Sequence, residues 1–436
     1  MNAWQYLILL LSIAIPWCYI WYQDQQSHKQ DYLNHPYLSN CSVSDPRCFN
    51  LSKCFHTTKI YIYKRKEGSW LENNYIVQYF LSNQEEIRKF NRRIENLLDS
   101  DPTLSVTKNP KEACLFVPRI ACLSVNQCDL SPIFTKTRLQ SLPYWNNGQN
   151  HIVFDHGDDE FQYGTSSGTG TEMRIRSASS LQYYRKDFDI GISLRPKISI
   201  YSTLVTTGRQ HIASGRPLSI GFLGAPTTTS GLRQSLLELH SLTEGIDIQV
   251  RAPKCKVPCL RHEPKYYDAY RSILLRSTFQ LVPRGQGLHS HRLLESIAAG
   301  SIPIVLADNI ILPFSEYIPW SNAIVIVPEK DWKAIPTIVE KYIEKINQMQ
   351  CWGLAIYRHF FLRPFGTIGL SFRILQRRIR NEVKRRRKDI VDNNNQEKLT
   401  ELIVPWPYDK PIPRQPSFCT KEMALMEDVV RRINEQ

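Results

Sequence analysis

Short apolar, β-branched runs alternate with helical stretches along most of this 436-residue chain, and that alternation narrows its fold more than any other feature. KIYIY (59–63), CLFVP (114–118), HIVFD (151–155) and FDIGISL (188–194) read as buried strands. A second series follows: LSIGFLG (218–224), IDIQV (246–250), FQLVP (279–283), IPIVL (302–306) and AIVIV (323–327). Between the first two strands, residues 83–99 set Ile87, Phe90, Ile94 and Leu97 at helical spacing. Strands alternating with helices predict parallel α/β sheets, and two series predict two Rossmann-like lobes, with the break in the segment near 202–217. Length agrees, because single cores stop growing at about 250–300 residues. With 42% hydrophobic residues the chain can bury two cores, which excludes a disordered, fibrous or collagen-like protein.

Compartment is legible at the amino terminus. Residues 1–22 carry no charged side chain, and from Ala3 to Tyr22 they reach the roughly 20 residues a membrane helix needs. Trp4, Tyr6, Trp17, Trp21 and Tyr22 cluster toward its ends, as interfacial aromatics do. A transmembrane signal-anchor is predicted over 1–22 and a polar stem over 23–56. A cleaved signal peptide is the competing reading, and it lacks both a basic flank and a small-residue cleavage site. Ten of the eleven cysteines follow the anchor, with irregular spacing that suits disulfides better than zinc. Sequons at Asn40 and Asn50 fall in the same stretch. These features predict a single-pass type II protein of the Golgi or endoplasmic reticulum membrane, its bulk lumenal. The Gly/Ser/Thr tract at 164–171 has no dinucleotide or Walker spacing and reads as a loop.

The stretch at 279–314 carries the chemistry. It reads strand, glycine-bearing loop, helix, strand, and Pro283-Arg284-Gly285-Gln286-Gly287 falls at a carboxyl strand end, where open α/β sheets place ligands. A following helix, capped by His289 or Ser290, would aim its positive end there. Arg292 and Glu295 share one face of its first turns. A guanidinium suits a diphosphate and a carboxylate suits ribose hydroxyls, so this set would hold a nucleoside diphosphate without a metal or other cofactor. An internal Arg–Glu pair on a solvated helix is the bland alternative.

VPRG, SxRxxES, IPIVLAD and ILPF, in this order, resemble the exostosin family of glycosyltransferases. DPRCFNLSKC, KEACLFV, WNNGQNHIVFD and FRILQRRI extend the resemblance over roughly residues 41–375, in the manner of the family's single-domain members. Gln280 stands where many members have Cys, and Ser296 where Ala is usual. The resemblance implies a GT-B-like architecture: an N-terminal acceptor lobe over 57–210, a C-terminal UDP-sugar lobe over 211–370, and a basic helix and tail over 371–436. It implies inverting transfer from a UDP-sugar, UDP-glucuronic acid in the closest relatives, to a growing heparan-type glycosaminoglycan. It assigns Arg292 to the diphosphate and Glu295 to the ribose, with Arg284, Gly285, Ser290 and Arg233 completing the donor site.

Inversion needs a base to take a proton from the acceptor hydroxyl. Asp155 and Asp158 follow a strand end in the first series, and Asp129 lies in the loop after CLFV. Close relatives carry an aspartate pair in that loop, whereas this chain reads PRIACLSVNQCDLSP. That departure motivates an alternative, a catalytically weak subunit that stabilises or targets another exostosin-type transferase in a hetero- or homo-oligomer. The formal charge is +14, and residues 371–391 hold nine Lys or Arg against Glu382 and Asp389. In a lumen this run reads as a guide for an acidic glycan rather than for nucleic acid.

Overall fold

The computed structural model describes residues 41–54, 58–63, 106–118, 139–155, 170–198 (less 178, 182, 183, 195 and 197), 216–226, 231–241, 244–251, 264–362 (less 286), 366–391 and 419–435. The expected anchor over 1–22, the helix over 83–99, Asn40, Asp129 and Asp158 lie outside them. Among the described residues no helix is long and apolar enough to cross a membrane.

The fold is mixed α/β and its sheets are parallel throughout. In the amino-terminal half, β1 (Ile60–Ile62) lies between β2 (Val106–Thr107) and β3 (Leu115–Val117). A second set runs β4 (Ile152–Asp155), β5 (Met173–Arg176), β6 (Ile190–Gly191). One parallel bridge, Phe116 to His151, joins the two sets edge to edge. Leu115, Phe116, Ile152, Val153 and Phe154 are all buried, as expected of strands covered on both faces.

The second half forms a five-stranded sheet ordered β8-β7-β9-β10-β11, with β7 Leu218–Gly224, β8 Ile246–Val250, β9 Ser277–Pro283, β10 Ile302–Leu306 and β11 Val325–Ile326. The chain enters at β7, adds β8 on one side, then crosses to β9 on the other, so the order reverses between β7 and β9. Helices α1 (Leu232–Ser235), α2 (Pro264–Arg276) and α3 (Arg292–Ala298) connect these strands, and α4 (Ile335–Glu340) and α5 (Ile346–Ile356) follow β11.

Two strands escape the sequence pattern. MRIR forms β5 although arginines alternate with its apolar residues, because Arg174 pairs with Glu172 at 3.0 Å inside the fold. The two-residue β2 is too short to leave a period. Helix α3 begins at Arg292, so neither His289 nor Ser290 is its first cap; that position is His291.

The basic run belongs to α6 (Gly366–Val391). Leu370, Phe372, Leu375, Ile379 and Val383 give this helix a buried stripe, and Phe372 packs on Phe154 of β4 at a ring distance of 5.7 Å. This long helix after the second sheet thus covers the first half. Arg378 donates to the carbonyls of Phe188 and Asp189 at 3.0 and 3.1 Å and grips both oxygens of Glu316 at 2.9 and 2.7 Å. Arg385 and Arg386 pair with Glu382, and Arg386 reaches Ser44 O at 2.6 Å. Arg378 and Arg386 therefore fasten the helix in place, and Arg380 and Lys384 are exposed on it.

The ILPF segment forms a seam between the halves. Ile311 N donates to Ser179 O, Leu181 N to Asn309 O and Phe314 N to Gly191 O, all within 2.8–2.9 Å. A Cβ on Gly191 would stand 3.1 Å from Ile311 Cγ2, so the glycine of FDIGISL permits this approach. Disulfides join Cys41 to Cys48, Cys54 to Cys114, and Cys351 of α5 to Cys419 ahead of α7 (Thr420–Glu435).

Candidate active site

The strand order reverses between β7 and β9, and doubly wound sheets take their ligands at the carboxyl ends beside such a reversal. Three of the arginines expected from sequence meet there, from three separate segments. Arg233 arrives on α1, which the chain enters through Gly231 at φ +64°, a left-handed turn that glycine makes without strain. Its guanidinium is buried and donates to Arg284 O at 3.1 Å, Ala225 O at 3.0 Å and Pro283 O at 3.4 Å. It thereby ties the loop after β7 to the loop after β9. Burial, then the neighbouring Arg292 cation, brings its pKa down to about 9.

Arg284 closes β9. Its amide donates to Leu306 O at 2.9 Å, and its guanidinium lies 3.6 Å from Glu329 Oε1. Glu329 is itself fixed, since its carboxylate accepts from Asp308 N and its amide donates to Asp308 Oδ1, at 3.1 and 3.0 Å. Gly285 leaves room in the loop: a Cβ there would stand 3.3 Å from His289 O and 3.8 Å from Arg233 Nη2. Ser290 Oγ accepts a long bond from the Arg292 amide, at 3.4 Å.

Arg292 opens α3 and points back across the sheet. Nη2 donates to Leu223 O at 2.7 Å, and the guanidinium lies over Phe222 at 4.7 Å and Tyr270 at 5.4 Å. Gly224 makes this possible, because a Cβ there would come within 2.2 Å of Nη2. Arg292 Nε is buried and has no hydrogen-bond partner among the described residues. Glu295, only 2% exposed, accepts from the Tyr270 hydroxyl and from Ile198 N at 3.2 Å. The Arg292–Glu295 spacing thus serves two different sets of contacts rather than a surface ion pair.

His289, in the loop between β9 and α3, stays neutral near pH 7. Burial, with the Arg176 cation opposing a charged ring, outweighs its bond to Ile311 O and lowers its pKa to about 4. On the other half, β4 ends on Asp155, in register with Arg176 of β5. Asp158 and Asp129 lie outside the described residues. The Asn50 side-chain carbonyl accepts from Ser52 Oγ at 2.6 Å, within its own sequon.

Tyr270, Glu329 and the Ile198 amide did not stand out in the sequence. Tyr266 and Tyr270, four apart in KYYDAYRSILL, were the available signal for the first, as aromatics on one helical face. Glu329 left none, since it meets Arg284 only through folding.

A parallel α/β fold with buried arginines beside a reversal of strand order defines a Rossmann-like protein. The exostosin GT47 domain matches residues 55–342. The chain is 30% identical over 383 residues to "Exostosin-1 homolog" of Caenorhabditis elegans, covering 81% of this chain and 94% of that one. It is 28% identical over 368 residues to "Exostosin-1b" of Danio rerio (78% and 46%) and 27% identical over 407 to "Exostosin-1" of Bos taurus (85% and 50%). The chain belongs to the exostosin family of glycosyltransferases. It spans about half the length of those vertebrate relatives and nearly all of the nematode one.

Proposed function

We propose that this chain is an inverting, UDP-sugar-dependent glycosyltransferase of GT-B type, in which the second half holds the donor and the first receives the acceptor. The observation that carries this reading is the meeting of Arg233, Arg284 and Arg292 at the carboxyl ends of β7 and β9. Fixed cations at that place stabilise the negative charge that gathers on a departing UDP. Glucuronic acid from UDP-glucuronic acid is the proposed sugar and a heparan-type glycosaminoglycan the proposed acceptor, supported by the motif resemblance and the basic surplus.

Asp155 is the proposed base, because it ends a strand on the carboxyl edge of the other half. Asp158 and Asp129 are the alternates. Attack from that side, with UDP leaving toward the arginines, gives inversion. A lumenal Golgi or endoplasmic reticulum setting behind an N-terminal anchor completes the proposal, and the disulfides support an oxidising compartment.

A second reading, a weak subunit working beside another exostosin-type transferase, is favoured by the burial of Glu295 against Tyr270 and Ile198. In this structure the carboxylate assigned to the ribose is already occupied by protein. Transfer assays with a panel of UDP-sugars and defined acceptors, with and without such a partner, separate the two. Transfer by the purified protein alone supports the first reading. No transfer from any donor, with activity restored by the partner, sinks it.

A further inference from the structure

Both α3 residues proposed to contact the donor touch one side chain outside their motif. Tyr270 is buried in α2; its ring lies 5.4 Å from the Arg292 guanidinium and its hydroxyl donates to Glu295 Oε2. The two contacts use different parts of the residue. The aromatic face attracts the cation, and the hydroxyl fixes the rotation of the carboxylate. Arg292 is a long side chain that a single bond to Leu223 O leaves free to pivot, and the rings of Phe222 and Tyr270 restrict that pivot. Glu295 is held at its other oxygen by the Ile198 amide, from the segment that leads out of the first half. Burial and the adjacent Glu295 carboxylate raise the Tyr270 pKa well above its ordinary value, so the hydroxyl keeps its proton and stays a donor.

We infer that Tyr270 is a positioning residue of the donor site: its ring sets the place of Arg292 against a diphosphate, and its hydroxyl sets Glu295 against ribose hydroxyls. The inference rests on the donor-site reading given above. A tyrosine that merely fills the core would alter melting temperature and leave ligand selectivity alone. The two roles therefore separate by the selectivity of the site for ribose hydroxyls.

The test is calorimetric titration of the full chain with UDP and with 2′,3′-dideoxy-UDP, alongside melting temperatures. The wild-type protein is expected to prefer UDP. Tyr270→Phe keeps the ring and removes the donor, so UDP affinity should fall about tenfold, the scale of one hydrogen bond to a charged group, while dideoxy-UDP affinity stays at the wild-type value. Tyr270→Leu removes the ring as well and should weaken both ligands. A folded Tyr270→Phe protein that still prefers UDP as the wild type does overturns the inference alone. Wild-type protein with no affinity for UDP overturns the donor-site reading and this inference with it. Should Tyr270→Phe not fold, 3-fluorotyrosine at 270 keeps the size and the hydroxyl but strengthens the donor; an unchanged ratio of the two affinities there also overturns the inference.

Discussion

Gly224→Ala perturbs the donor site without removing any of its charges. The new Cβ would stand 2.2 Å from Arg292 Nη2, 2.9 Å from its Cζ and 2.9 Å from Phe222 Cζ, where ordinary contacts begin at about 3.4 Å. The nearest atoms are the ends of side chains, so the backbone of β7 can stay and the guanidinium must leave. Leaving breaks the bond to Leu223 O, on the order of 1.5–3 kcal/mol for a charged donor. It also loosens the contact with Phe222, about 0.5–2 kcal/mol, although a swung-out arginine regains solvent. The net cost to folding should be about 1–3 kcal/mol, a shift in melting of a few degrees for a chain of this size. The cost to function should be larger, because the displaced cation no longer faces the strand ends. Calorimetry is expected to show UDP affinity reduced at least tenfold, by about 1.4 kcal/mol or more. Gly221→Ala serves as a control: its Cβ would meet Ser277 Oγ at 2.0 Å inside the sheet, so it should lower melting and spare UDP affinity per folded molecule. A well-folded Gly224→Ala protein that binds UDP as the wild type does would refute the placement of Arg292.

Three further outcomes are expected. Cys54→Ser with Cys114→Ser opens a bridge spanning 60 residues, and chemical denaturation should show a loss of roughly 2–5 kcal/mol; an unchanged midpoint would contradict it. His151 and His289 are held neutral by burial, at pKa values of about 3 and about 4, whereas the unfolded chain takes up protons near 6.5. Their contribution to stability is complete above pH 6.5 and is lost as pH falls toward 4, at roughly 1.4 kcal/mol per pH unit for each group; denaturation at pH 7 and pH 5 measures it, and equal stabilities would exclude it. Arg378→Ala removes a largely buried guanidinium that holds Glu316 and the carbonyls of Phe188 and Asp189 and should cost about 1–3 kcal/mol, whereas Arg380→Ala on the exposed face should cost under about 0.5 kcal/mol; similar melting shifts for the two would count against the fastening role of α6.

The strands of the second half were legible because central strands buried on both faces are written as nearly unbroken apolar runs, so β7 and β10 coincide with LSIGFLG and IPIVL, while the edge strand β8 keeps the apolar–polar alternation of IDIQV. MRIR was missed because Arg174 is buried in a pair with Glu172 inside the fold, which an apolar pattern does not register. Arg233, Arg284 and Arg292, which the fold brings together, could be picked out through short motifs at strand ends, which are local in sequence. Tyr270 and Glu329 act through contacts between distant segments, and a spacing rule has no access to those. The basic run was legible only in part: charge density marks a surface, and it gives no sign that Arg378 and Arg386 spend theirs on carbonyls of the first half and on Glu316 and Glu382.

Photoaffinity labelling with an azido analogue of UDP-glucuronic acid, followed by peptide mapping, tests the donor site most directly. Label on peptides covering 222–233 or 283–295, displaced by excess UDP, is the expected result. Label confined to the strands of the first half, or undiminished by UDP, would contradict it.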